Sequence, residues 1–191
     1  MKRIIWHWSA GGYRANAVDR RAYHEIIEVD GGIVKGMHPF EANAFIAQPG
    51  NPDTYAAHTR GINTGSIGLS MAGMHDARES PFSFGSAPIT QAQVDVLVSR
   101  TAELCKRYQI PVTRHTTLSH AEVEGALGVW QRPRWDIKWL PGMEAPLPAI
   151  EVGNMIRRQV LDYMGRHLTE KPAPPSELKR NPIWSMFRRR R

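Results

Sequence analysis

Apolar and polar positions alternate along the chain in blocks, and each block predicts an element. Residues 3–8 read as a first strand, buried at Ile4 and Ile5. Asn16 to Arg21 form one helical turn, capped by Asn16 with Asp19 three residues on. Tyr23 to Val29 reads as a strand, and Asp30-Gly31-Gly32 as a tight turn into Ile33 and Val34. This hairpin is expected beside the first strand. Residues 35–61 contain Pro39, Pro49, Gly50 and Pro52 and read mostly as loop, with a short strand near Ala44 to Ile46. Ser66 to Met71 is a short apolar strand.

Thr90-x-x-Gln93 has the form of a capping box. Val94, Leu97, Val98, Cys105 and Tyr108 follow at helical spacing, so an amphipathic helix is predicted over 91–108, ending before Pro111. Val112 to Arg114 resumes as a strand that leads into a loop at His120. A second amphipathic helix is predicted over 150–168, with Val152, Met155, Ile156, Val160, Tyr163 and Met164 on one face. Pro172, Pro174 and Pro175 mark a linker. No internal repeat is visible. The order of elements gives a single mixed α/β domain with an appendage.

Composition narrows the class. With 41% hydrophobic and 8% aromatic residues, the 191-residue chain can build one ordinary globular core. A lone cysteine, Cys105, excludes an internal disulfide and thiolate-rich zinc sites, and its place on a helix face makes it a core residue. No basic start followed by a long apolar run is found, so no secretory signal is expected, and no apolar run reaches membrane-spanning length. Synthesis in the cytoplasm is the expectation. The net charge of +7 is uneven: residues 171–191 set seven cations against Glu177 alone, a net +6, which leaves +1 for residues 1–170. A basic nucleic-acid binder is therefore not the reading, because the charge belongs to the tail.

Candidate chemistry sits at three separated positions: His7 on the first strand, His120, and Asp136 sixteen residues later. Two imidazoles and one carboxylate suit a catalytic Zn²⁺ that keeps one position open. Such an ion acidifies water and polarises a carbonyl, as amide hydrolysis requires. Taken singly, His7 also fits a hydrogen-bonded strand histidine, and Asp136 a turn-capping carboxylate. His120-x-Glu122 opens the zinc deaminase pattern, but the chain lacks the later Pro-Cys-x-x-Cys, so Glu122 reads as a supporting carboxylate.

Five segments in order carry a resemblance. They are His7-Trp8-Ser9-Ala10, Tyr23-His24-Glu25-Ile26-Ile27, residues 57–69 (Ala-His-Thr-Arg-Gly-Ile-Asn-Thr-Gly-Ser-Ile-Gly-Leu), Ser119-His120-Ala121-Glu122-Val123 and Arg134-Trp135-Asp136-Ile137. Together they resemble the type 2 N-acetylmuramoyl-L-alanine amidases, the zinc amidases that share a fold with phage lysozyme-amidases and peptidoglycan recognition proteins. The resemblance spans roughly residues 3–142. It implies a central mixed sheet flanked by helices, with residues 1–145 as the zinc amidase domain, 146–170 as a C-terminal amphipathic helix and 171–191 as linker and basic tail.

The same resemblance implies roles. His7, His120 and Asp136 match the zinc ligands. Members of the superfamily use a glutamate on the Ser-Ile-Gly strand or a tyrosine on the hairpin strand as proton shuttle; here Ser70 occupies the glutamate position and Tyr23 matches the tyrosine. Arg134 stands where the family usually has an oxyanion-steadying lysine, a departure that keeps the charge but changes its shape. His58 matches a histidine near the substrate cleft, and His115 is a further candidate support. The implied activity is cleavage of the amide between N-acetylmuramic acid and L-alanine by a phage or prophage endolysin that reaches the wall through a membrane lesion. Two rivals are a cytoplasmic amidase recycling muropeptides and a peptidoglycan-binding module without catalysis. The tail, with Trp184, Phe187 and Arg188 to Arg191, reads either as a solvated end or as an attachment to anionic lipid, lipopolysaccharide or wall polymer.

Overall fold

Strand β1 (Arg3–Trp8) is buried from Ile4 to Trp8, as expected of a strand covered on both faces at the middle of a sheet. In the computed structural model, which describes residues 1–169 with side chains through Arg166, β1 pairs in parallel with β4 (Ser66–Met71) and β5 (Thr117–Ser119). On its far side β4 pairs in parallel with β2 (Glu25–Ile27), which pairs antiparallel with β3 (Ile33–Lys35). The order is β3-β2-β4-β1-β5. The hairpin thus lies one strand away from β1. The apolar, fully buried β4 takes the place beside it, where six residues pair from Arg3↔Ser66 to Trp8↔Met71.

Alternation along β1 divides the domain. Ile4, Trp6 and Trp8 face a large core shared with Leu69 and Met71, with Val94, Leu97 and Leu104 of α2 (Gln91–Tyr108), and with Val152, Ile156 and Val160 of α4 (Ala149–Thr169). Ile5 and His7 face the other way, where Ile5 joins a small cluster with Ile62, Leu118 and Val123 at the start of α3 (Val123–Leu127). One face of the sheet is therefore packed by two long helices, and the other holds polar groups under loops. No helix among the described residues is long and apolar enough to cross a membrane.

Several local expectations are corrected. The chain near Ala44 to Ile46 is not a strand: a 3₁₀ turn spans Phe40–Asn43, and the Asn43 amide bonds both backbone groups of Ala56, at 2.9 Å each. Strand Tyr23 to Val29 shortens to Glu25–Ile27, because the Tyr23 N–H caps α1 (Ala17–Ala22) through Asp19 O. The strand placed at Val112 to Arg114 begins instead at Thr117, since the Thr113 and Thr116 hydroxyls close a turn on each other at 2.7 Å. Met155 is exposed, and Arg157 takes a buried position on α4. The linker and basic tail at 171–191 lie outside the described residues.

Gln93 ties the sheet to its main helix. From the first turn of α2 its buried amide donates to Ile27 O at 2.9 Å and Ala72 O at 2.8 Å, at the ends of β2 and β4, while its oxygen accepts from Thr90 N at 2.9 Å. Replacing Gln93 with Met keeps the volume but takes the side-chain partner from Ala72 O and from Thr90 N, while Ile27 O keeps its bond from Ala72 N. A loss of roughly 2–4 kcal/mol is expected, read as a lower midpoint in chemical unfolding with unchanged slope; an unchanged midpoint would show that these bonds add nothing net.

Candidate metal centre

Parallel pairing brings the carboxyl ends of β1 and β5 to one edge of the sheet. His7 stands near the end of β1, and His120 opens a 3₁₀ turn (His120–Glu122) directly after β5. Asp136 arrives on a long loop whose carbonyl accepts from Ala121 N at 2.7 Å, closing the sixteen-residue excursion onto the same turn. The result is a buried triad: Asp136 Oδ2 lies 3.1 Å from His7 Nδ1 and 3.2 Å from His120 Nδ1. All three donor atoms fall within 4.8 Å of one another.

Proton accounting shows what the triad requires. The Gln131 amide donates to Arg60 O at 3.0 Å and Val129 O at 3.3 Å, so its oxygen is the acceptor facing His120 Nε2 at 3.1 Å. His120 therefore carries its proton on Nε2, and Nδ1 presents a lone pair. A similar chain stands behind His7. His58 Nε2 faces the Ser66 carbonyl at 3.4 Å, which leaves His58 Nδ1 to accept from His7 Nε2 at 3.3 Å and to meet the Thr59 hydroxyl at 2.8 Å. Both histidines thus aim lone pairs at a carboxylate, an arrangement that is repulsive unless a cation lies between them. The donor set fits a divalent metal with nitrogen and oxygen preference, zinc foremost.

The electrostatics agree. Burial pushes His7 down to about 4, outweighing the opposing pull of Asp136, so its ring is neutral and free to ligate. Burial also holds His58 well below the ordinary histidine range, with His7 and His24 adding to the effect. Burial raises the Asp136 carboxyl, but positive charge at the adjoining His120 and His7 positions outweighs it and holds the group at about 2, so a carboxylate faces the two rings.

Above the triad lies a cleft of about 390 Å³, lined by Trp8, Tyr23, His58, Arg134 and Trp135 among others. The Tyr23 ring is 5.0 Å from that of His7. Its hydroxyl is raised above the usual tyrosine value, chiefly by burial and next by the Asp136 carboxylate. Arg134 is exposed on the rim. Ser70, in the position of the superfamily glutamate, is buried, and its hydroxyl slightly offsets the rise at Tyr23. Ser66, Gly68 and Ser70 share one face of β4, and Gly68 has no side chain because the His58 ring occupies the space: a Cβ there would stand 2.5 Å from His58 Cγ.

The structure therefore gathers His7, His58, His120, Asp136, Tyr23 and Arg134 around one cleft. His58 is a support behind His7 as well as a cleft-lining residue. His115 is exposed and bonds the Thr113 hydroxyl through its backbone, so it supports no ligand. Glu122 turns away from the cleft into an ion pair with Arg157. Cys105 is a core residue whose thiol burial pushes up to about 12. Gln131 and Thr59 went unnoticed in the sequence, because a lone Gln or Thr carries no spacing signal.

A convergent His–His–Asp set beneath an open cleft fits metal-assisted hydrolysis. The family model described as N-acetylmuramoyl-L-alanine amidase matches residues 1–140, and the chain belongs to that family of peptidoglycan amide hydrolases. No curated protein matches the chain. Among solved structures it is similar to N-acetylmuramoyl-L-alanine amidase LysC from Clostridium intestinale URNW, at 17% identity and TM-score 0.45, covering 81% of this chain and 83% of that one. It is also similar to the endolysin amidase LysCS from Clostridium intestinale URNW (18% identity, TM-score 0.41, 64% and 70% covered). A third likeness is to the Ph2119 endolysin from the Thermus scotoductus MAT2119 bacteriophage Ph2119 (19%, TM-score 0.42, 63% and 71%). The assignment to the family rests on the family match.

Gln131 makes a specific prediction. Gln131→Leu should keep the fold but lower zinc affinity roughly tenfold to a hundredfold, since an outer partner that fixes a ligand's tautomer is removed. Competition against a chromophoric chelator measures this, and an affinity equal to the parent's would mean the tautomer of His120 is set by something else.

Proposed function

We propose that this chain uses zinc, held by His7 Nδ1, His120 Nδ1 and an Asp136 oxygen, to cut the amide between the lactyl group of N-acetylmuramic acid and L-alanine of the stem peptide. The observation that carries the reading is the convergence of two lone-pair imidazole nitrogens and a carboxylate within 4.8 Å at the floor of the cleft. When bound, zinc would supply Lewis-acid polarisation of the scissile carbonyl and acidify water near neutral pH.

The protein's own groups do the rest. Tyr23 stays protonated at neutral pH because burial and Asp136 raise its hydroxyl. It therefore carries the proton that the alanine nitrogen needs once water has added, and it takes a proton back from that water. The water oxygen adds to the carbonyl carbon first, and the C–N bond breaks as the nitrogen takes up its proton, so the amine leaves neutral. Arg134, exposed at the rim where substrate enters, places its guanidinium against the carbonyl oxygen as negative charge gathers there. His58, Thr59 and Gln131 fix the two imidazoles so that no reorganisation is needed at the moment of reaction. The net +6 of residues 171–191 favours a lytic enzyme acting at an anionic wall or membrane over a recycler of soluble fragments.

Purified sacculi provide the test. Incubation should release peptides with a free N-terminal alanine, leave the glycan strands uncut, and stop when a chelator removes the metal. Cleavage between sugars, or release indifferent to chelator, would contradict the reading. At matched zinc content Tyr23→Phe should lose about a hundredfold or more in turnover, Arg134→Ala should lower kcat more than it raises KM, and Arg134→Lys should retain much of the activity. A chain lacking residues 172–191 should cut soluble muropeptide like the parent and bind anionic vesicles less, with a difference that shrinks as salt rises.

A further inference from the structure

Helix α4 lies beyond the residues that the family model matches, yet it reaches the segment that carries His120. Two of its residues, Arg157 and Gly153, meet the Glu122 carboxylate, and a third, Asn154, holds Arg157. Arg157 donates from Nη2 to Glu122 Oε1 at 2.7 Å and from Nη1 to Oε2 at 3.2 Å, and both partners are buried. Asn154 Oδ1 accepts from the same Nη2 at 2.8 Å. Gly153 lets the helix backbone approach, for a Cβ at that position would stand 2.1 Å from Glu122 Oε2. The other bonds of this assembly all end on the ligand-bearing segment: Arg157 Nη1 donates to Thr117 O at 2.8 Å, and Glu122 Oε2 accepts from Ser119 N at 2.8 Å. Residues 117–122, with His120 among them, are thus clipped to α4 at three backbone or side-chain points.

Stability gives little reason for such an arrangement. A buried ion pair repays its desolvation poorly, and well-packed apolar residues in its place are often neutral or stabilising. Geometry gives a better one. Gln131 fixes the His120 ring but not the backbone from which it projects, and a metal site tolerates ligand errors of only a few tenths of an ångström. A charged fork with bidentate hydrogen bonds defines position far better than interchangeable apolar contacts do.

We infer that Arg157 and Glu122, with Gly153 permitting their approach, are positioning residues through which α4 sets the placement of His120 in the metal site. The inference rests on the metal reading above and is tested separately from it. The full-length chain and its variants are titrated with zinc against a chromophoric chelator, and their unfolding midpoints are measured alongside. Gly153→Ala and the double variant Glu122→Leu with Arg157→Leu should bind zinc roughly tenfold to a hundredfold more weakly. The double variant should lower the midpoint as well, because Thr117 O and Ser119 N lose their buried partners. Val160→Ala, a cavity where α4 packs into the large core, should lower the midpoint and leave the affinity unchanged. Zinc affinities equal to the parent's in the first two, with His7→Ala having lost the metal, would reduce α4 to packing and overturn the inference. Parent-like zinc binding by His7→Ala would instead bring down the metal reading, and this inference with it. If Gly153→Ala does not fold, the double variant decides.

Discussion

One carboxylate oxygen facing two imidazole nitrogens is the constraint on which the site depends. Asp136 Oδ2 cannot sit 3.1 Å and 3.2 Å from His7 Nδ1 and His120 Nδ1, in a buried place, unless positive charge lies among them. A single extra proton satisfies one contact only. The supports behind the rings decide the matter: Gln131 on one side, His58 and Thr59 on the other, both claim the outer ring proton. What remains between the three groups is a place for a cation.

Everything else in the fold serves to hold that place open and rigid. Alternation along β1 sends Trp6 and Trp8 into the helical core and His7 to the polar face, so His7 is anchored by the burial of its neighbours. Parallel pairing with β5 puts His120 at the same edge, as topology commonly does for sites on parallel sheets. Small residues on β4 leave room for His58 beneath the triad, and Gln93 locks the strand ends against α2. The Glu122–Arg157 pair extends the same logic to the C-terminal helix.

The sequence showed the candidate triad because its order and company form a pattern. His7, His120 and Asp136 fall in segments that repeat a family's order, and strands with six consecutive buried residues, such as β4, announce themselves by composition. The helices over 91–108 and 150–168 were legible from their period, and the capping boxes at Asn16 and Thr90 from side-chain chemistry. What escaped was decided by partners distant in the chain. Gln131 acts through Arg60, seventy-one residues away, and Arg157 through Glu122, thirty-five away. The position of β4 between the hairpin and β1 is a pairing choice that no local pattern encodes. The strand expected at Val112 to Arg114 failed because threonine hydroxyls bonded their own turn, a competition visible only once the turn is formed.

The central claim is that a zinc ion binds between His7, His120 and Asp136 and takes no other protein donor. X-ray absorption at the zinc edge, on the chain loaded with one equivalent, examines it most directly. The account predicts a shell of nitrogen and oxygen alone at about 2.0–2.1 Å, with the outer scattering of two imidazoles. A sulfur neighbour, a third imidazole drawn from His58, or failure to hold one equivalent of zinc would contradict it.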